Sequence, residues 1–216
     1  MNRRAEAVAL LVFAIAARAQ ASEPAPRERG LLDFGWRFHL GDAADPERDF
    51  DFGRDAPFAK AGGWGGAAAA DFDDSDWRLI DLPHDWVVEQ DFVPGGDDDH
   101  RDHGFRPVGR NYPASAIGWY RRSFEIPASD EGRRLTLEFD GVYRDCMMWL
   151  NGHLIGRNES GYSSFWFDIS DYANYGGTNV LVVRADASQY EGWFYEGAGI
   201  YRHVWLTKTN SLHVAQ

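Results

Sequence analysis

The sequence is poor in cysteine, in lysine and in long apolar runs. Cys146 is its single cysteine in 216 residues, which excludes a disulfide framework and any cysteine-based zinc finger. A lone cysteine reads as a small buried hydrophobe. Lysine occurs only at Lys60 and Lys208, against 20 arginines, and the formal charge is −12. A surface that acidic repels phosphate backbones, so no nucleic-acid partner is expected. The one extended apolar run, Val8 to Ala17, has ten residues and is too short to span a bilayer. Past that run, no stretch keeps helical periodicity over three turns.

What surrounds the apolar run is informative. Arg3 and Arg4 precede it, and Ala17-Arg18-Ala19 and Ala19-Gln20-Ala21 follow. This is the layout of a secretory signal peptide over residues 1–21. Its removal deletes three arginines and one glutamate, taking the charge from −12 to −14. An exported protein, periplasmic or extracellular, is expected, and a single buried cysteine suits that compartment. Residues 22–30 read as an exposed lead-in.

Aromatic residues are abundant at 15%, with 9 Trp, 9 Tyr and 14 Phe. Beyond core packing, such a surplus suits stacking on sugars or bases. Asp33 to Leu40 alternates aromatic and polar residues as a strand does. Residues 41–70 carry turn residues and a Gly/Ala stretch and read as a long surface insertion. Asp71 to Trp77 reads as a tight acidic turn before a strand over Arg78 to Leu82. Further strands are expected at Gly118–Ile126, around Leu135–Phe139, at Ser164–Ile169, Asn179–Ala185 and Ile200–Thr207. Met147 to Leu150 and His153 to Ile155 flank Asn151-Gly152, a strong two-residue hairpin signal. Many short strands separated by turn signals define an all-β fold, an antiparallel β-sandwich.

The irregular stretch Asp91 to Pro113 holds Asp97, Asp98, Asp99, His100, Asp102 and His103. Their spacing matches neither an EF-hand loop nor a helical zinc pair. A solvated loop is expected, and no metal and no cofactor, with a calcium or zinc site on these side chains as the alternative.

Several segments together resemble a known family. Leu82-Pro83-His84-Asp85-Trp86, Gly118 to Phe124, and Phe139-Asp140-Gly141-Val142 occur in that order. Trp149-Leu150-Asn151-Gly152, Gly161 to Ser170, Asn179 to Val183 and Gly197 to Arg202 follow. The series resembles the N-terminal sugar-binding domain of glycoside hydrolase family 2, over roughly residues 31–212. The resemblance implies a jelly-roll, galactose-binding-like sandwich ahead of an immunoglobulin-like domain and a catalytic barrel. That barrel carries both catalytic glutamates and alone takes about 250 residues. The expectation is therefore a chain cut short of those partner domains, with residues 213–216 opening the linker. No catalytic residue is expected here, and a galactoside-like β-linked sugar would be bound in the full-length enzyme. The alternative is an autonomous, lectin-like carbohydrate-binding module. Asn158-Glu159 mimics the Asn-Glu pair of such barrels, but it sits in a hairpin-rich sandwich and reads as a loop carboxylate. Retaining hydrolysis needs two carboxyl groups about 5–5.5 Å apart.

In the family one loop of the sandwich reaches the barrel mouth, and the resemblance places it at Gln189 to Glu196. Glu191, Trp193, Tyr195 and Glu196 are its candidate sugar contacts, since ring faces suit the C–H faces of a pyranose and carboxylates accept from its hydroxyls. The family often has a polar or acidic residue where Trp193 stands, leaving Glu191 to supply the carboxylate. His84 and Asp85 are a second rim pair, with Asp85 capping a turn and His84 bonding backbone as the structural reading. Arg202 reads as a structural ion-pair anchor facing inward, with Asp186 or Asp145 as partner, because a buried guanidinium has to be paired. Trp36, Trp77, Trp86, Trp119 and Trp149 read as core and interdomain packing. Mass spectrometry of the protein exported by a bacterial host should find a chain that starts at Ser22; a retained Met1 would remove the signal-peptide reading.

Overall fold

The computed structural model describes residues 25–54, 65–94, 105–189 and 197–214. Ten strands run in chain order: β1 Arg27–Leu31, β2 Trp36–Leu40, β3 Arg78–Ile80, β4 Ile117–Ile126 and β5 Arg134–Phe139. They continue as β6 Cys146–Leu150, β7 His153–Asn158, β8 Phe165–Asp168, β9 Gly177–Asp186 and β10 Val204–Thr209. Four form one sheet in the order β1-β10-β5-β8, and six form the other in the order β3-β2-β4-β9-β6-β7. Every pairing is antiparallel. Among the described residues there is no α-helix, and no helix long and apolar enough to cross a membrane. The fold is the all-β sandwich that the strand pattern predicts.

Period-two alternation decides which side chains meet between the sheets. Leu135, Leu137 and Phe139 of the small sheet face Tyr120, Phe124, Ile126, Leu181, Val183, Met148 and Leu150 of the large one. Cys146 is part of this core, and burial pushes its thiol up to about 12. The β6–β7 hairpin turns on Asn151 and Gly152 at φ 52° and 80°, the left-handed pair that a two-residue turn requires. The Asn151 side chain also fixes the turn, accepting from the Val180 amide at 2.9 Å and donating to the Tyr172 carbonyl at 2.8 Å.

The large sheet is covered on its outer face too, which corrects the surface-insertion reading of residues 41–70. Ile117, Trp119, Trp149 and Val182 point away from the sandwich core and pack against Ala67, Ala68 and Trp77. Phe50, Phe52 and Phe72 complete this second core, and Trp119 stacks on Trp149 with centroids 5.7 Å apart. Two buried arginines fasten the cover. Arg121 uses all five N–H donors on the carbonyls of Ala67, Ala69, Ala70 and Phe72 and on Asp74. Arg184 bonds Asp49 at 2.7 Å and Asp186 at 3.2 Å, with its guanidinium 4.0 Å from the Phe52 ring centroid. The second Asp49 oxygen accepts from the Trp119 indole at 2.7 Å. Burial nevertheless raises the Asp49 carboxyl above its ordinary range, outweighing the attraction of Arg184.

Three other expectations need adjusting. The segment 22–30 was expected as a lead-in; Arg27–Leu31 is mostly exposed but forms an edge strand paired to β10. The strand expected from Asp33 begins only at Trp36, because Gly35 at φ 75° turns the chain between β1 and β2. Trp36, Trp77, Trp86, Trp119 and Trp149 are all buried within the domain itself. The acidic turn at 71–77 is as expected, with Asp73 accepting from the Ser75 amide at 3.0 Å. Replacing Asp49 by Ala should destabilise the chain by about 3 kcal/mol, because it strands a buried guanidinium and an indole N–H. Urea unfolding of the variant measures this, and a shift below about 1 kcal/mol would show that the cover is dispensable.

Candidate functional site

The expected contact segment, with Glu191, Trp193, Tyr195 and Glu196, lies outside the described residues; its two feet are described. On the entering side, Ala187 donates its amide to the Ala116 carbonyl at 2.8 Å, and Asp186 accepts from the Ser188 amide at 3.0 Å. On the leaving side, Ala198 donates its amide to Asp85 Oδ1 at 3.0 Å. Gly199 then exchanges both backbone hydrogen bonds with Tyr143, at 2.7 and 2.8 Å. Gly199 sits at φ 127°, and a Cβ there would meet the Tyr120 hydroxyl and the His84 carbonyl. Only glycine allows that approach.

His84 and Asp85 hold this leaving foot. Asp85 Oδ1 accepts from the Val87 amide at 2.9 Å as well as from Ala198, so it caps the turn and ties the two segments together. His84 is 7% exposed. Its backbone amide donates to the Ile200 carbonyl at 2.9 Å, while its ring bonds side chains. Arg78, always a donor, meets Nε2 at 2.8 Å, which leaves Nδ1–H to donate to the Tyr120 hydroxyl at 2.8 Å. The ring is thus committed to the fold, away from the rim role the sequence offered it. The Glu89 carboxylate lies 3.4 Å from Nε2 and favours the charged ring, but burial dominates and lowers the imidazole below its ordinary range.

Arg202 does not make the inward ion pair expected of it. It precedes β10, its side chain is exposed, and its guanidinium lies 5.7 Å from the Tyr201 ring centroid. Its proposed partners are engaged elsewhere: Asp186 with Arg184 at 3.2 Å and Asp145 with Arg157 at 2.8 Å. Among the described residues the buried, paired arginines are Arg121, Arg133 and Arg184, and the outward register positions of Arg121 on β4 and Arg184 on β9 were the available signal. Arg202 instead lines an open cleft of about 470 Å³ with Pro83, Asp140, Ser164, Tyr201 and His203. Sequence reasoning missed this cleft because four separate connections build it. Glu159 is exposed and pairs with Arg157 at 3.5 Å, as a loop carboxylate would. Among the described residues no group of three or more His, Cys, Asp or Glu is placed to hold a metal ion. The acidic run 97–103 lies outside them.

Two-sheet jelly-roll sandwiches recur among carbohydrate-binding domains. Comparison with known proteins is specific: residues 107–210 match the model of glycosyl hydrolases family 2, sugar binding domain. The chain belongs to that family, as its sugar-binding domain. It is 38% identical to the β-galactosidase BoGH2A of Bacteroides ovatus over 93% of its own length and 20% of that protein's. To a putative β-glucuronidase of Formosa agariphila it is 31% identical, over 97% of this chain and 17% of the relative. A β-glycosidase structure from Bacteroides vulgatus superposes with a TM-score of 0.65 at 33% identity, covering 85% of this chain and 20% of the other. The chain thus spans about a fifth of the length of the curated relatives it matches.

The His84 ring gives a pH test. An unfolded chain binds the ring proton with pKa about 6.5, whereas the folded chain takes it up only at lower pH. Between those values the unfolded state holds more protons, so stability falls as pH drops through about 6.5 and levels off below the folded pKa. Urea midpoints measured from about pH 7.5 down to 5.5 should show this fall, and His84→Gln should flatten it. An equal fall in both proteins would assign it to other groups.

Proposed function

We propose that this chain is the non-catalytic domain of a larger exported β-glycosidase, most like a β-galactosidase, and that segment 189–196 helps shape the entrance to its active site. The observation that carries the reading is the clamping of both feet of that segment by Asp85, Gly199 and Ala187. Feet held by buried hydrogen bonds fix where a loop can reach, and a positioned contact contributes more than a mobile one. The composition of the segment, Glu191 and Glu196 beside Trp193 and Tyr195, suits a pyranose with its apolar C–H face and hydroxyl rim. The galactoside preference follows the relative with 38% identity, while the β-glucuronidase names of others make a uronide the competing substrate. Export rests on the arginine-led apolar run and the Ala-x-Ala sites at residues 1–21.

The test uses a longer protein in which this domain precedes its catalytic domains. Trp193→Ala or Glu191→Ala should lower kcat/KM on an aryl β-galactoside by about tenfold for each 1.36 kcal/mol of lost transition-state contact, with Tm unchanged. Glu159→Gln should leave turnover unaltered. Kinetically silent changes at Glu191 and Trp193 would reduce the segment to packing, and a higher kcat/KM on an aryl β-glucuronide would replace the galactoside assignment.

A further inference from the structure

The outward face of the small sheet has a feature that the fold does not consume. Trp166 on the edge strand β8 is 68% exposed, the most water-facing tryptophan among the described residues. In register, Trp166 lies opposite Glu138 of β5, and Glu138 lies opposite Trp205 of β10. Both carboxylate oxygens of Glu138 are engaged, one accepting from Arg29 at 2.8 Å and the other from the Thr207 hydroxyl at 2.6 Å. Trp205 is engaged as well: Arg29 lies 4.0 Å from its ring centroid and its indole N–H donates to Asp140 at 3.0 Å. Only the Trp166 ring in this row stands open.

Successive residues of one face of a strand are about 7 Å apart. One such step from Trp166, Glu138 and Trp205 lie Ser164, Asp140 and His203, three residues that line the 470 Å³ cleft. The open ring and the cleft are therefore one continuous surface. The cleft offers the hydroxyl of Ser164, the carboxylate of Asp140 and the exposed guanidinium of Arg202. His203 is held in place by buried Asp33 at 2.6 Å. A cleft of this volume is in the range of small-ligand sites. A flat exposed ring beside a shallow cleft of mixed donors and acceptors matches linked pyranoses: one ring lays its C–H face on the indole and the next turns its hydroxyls to the polar groups.

We propose that Trp166 and the Asp140–Ser164–Arg202–His203 cleft form a binding site for a β-linked oligosaccharide chain. The site uses none of the residues of segment 189–196 and works without the catalytic domains, so it can hold a polymeric substrate that another part of the enzyme cuts.

The full 216-residue chain is titrated calorimetrically with β-1,4-linked tetrasaccharides of galactose, glucose, xylose and mannose at millimolar concentrations. At least one should bind saturably, at least tenfold more weakly to Trp166→Ala, with Trp166→Tyr restoring most of the affinity. Arg202→Met should weaken the same tetrasaccharide. Trp166 is exposed, so its removal leaves the urea midpoint in place and separates binding from folding. Binding that survives Trp166→Ala, or no binding of any tetrasaccharide, overturns the proposal. It is also overturned if Trp166→Ala lowers the Tm of the longer enzyme without affecting tetrasaccharide binding, since the ring then seats a neighbouring domain. Neither result touches the role of Glu191 and Trp193, which is read from kcat/KM on a small aryl glycoside.

Discussion

Arg121 sets the condition on which the rest of the architecture depends. Its side chain is 2% exposed, and a guanidinium so deeply withdrawn from water is tolerated only when every donor is used. The sequence meets that demand by wrapping residues 65–77 over the outer face of the large sheet, so that four carbonyls and Asp74 surround the fork. Arg184 makes the same demand one strand away and draws in Asp49 and the chain around it. Two buried charges thus bring the cover down, and apolar contacts between Trp119, Trp149, Trp77 and the phenylalanines complete it.

With both faces of its central strands β4, β6 and β9 mostly buried, the large sheet leaves chiefly its edge strands β3 and β7 exposed. Among the described residues, the outward face of the small sheet keeps Trp166 open to solvent, and the chain passes from β9 to β10 at one end of the sandwich. At that end the fold fixes the chain on either side of segment 189–196 through backbone pairs and the carboxylate of Asp85. The same connection, two residues on, supplies Tyr201, Arg202 and His203 to the cleft. The double-layered sheet thus gathers its cleft-lining polar groups on connections at one end, the kind of placement in which a scaffold positions loops for a ligand.

The sequence made the strands legible because alternation and turn chemistry agree there. The Asn151-Gly152 hairpin and the spans of β4, β5 and β9 lie within a few residues of where periodicity put them. The family resemblance was legible from ordered motifs. The cover was not: a Gly/Ala stretch with scattered phenylalanines has no period, and its role emerges only once Arg121 is seen to need carbonyls. Arg202 misled because a basic residue ahead of an apolar strand looks inward when the strand is drawn too long; β10 starts at Val204, and the side chain falls outside it. His84 was offered as a rim candidate because Pro-His-Asp looks like a strand end, beside a structural reading in which it bonds backbone. Its ring is instead claimed by Tyr120 and Arg78, residues 36 and six positions away that no local pattern connects. The cleft needs residues from 83, 140, 164 and 201–203 and has no linear signature.

The central proposal is that segment 189–196, whose flanking residues this domain holds in place, contacts a sugar bound elsewhere in the enzyme. A crystal structure of the longer enzyme with a β-galactoside held in its active site tests this most directly. The account predicts a side chain of Glu191, Trp193, Tyr195 or Glu196 in hydrogen-bonding or stacking contact with the bound sugar, its feet still held by Asp85 and Gly199. A segment 189–196 packed wholly against another domain or turned to solvent, with the sugar contacted by catalytic-domain residues alone, would contradict it.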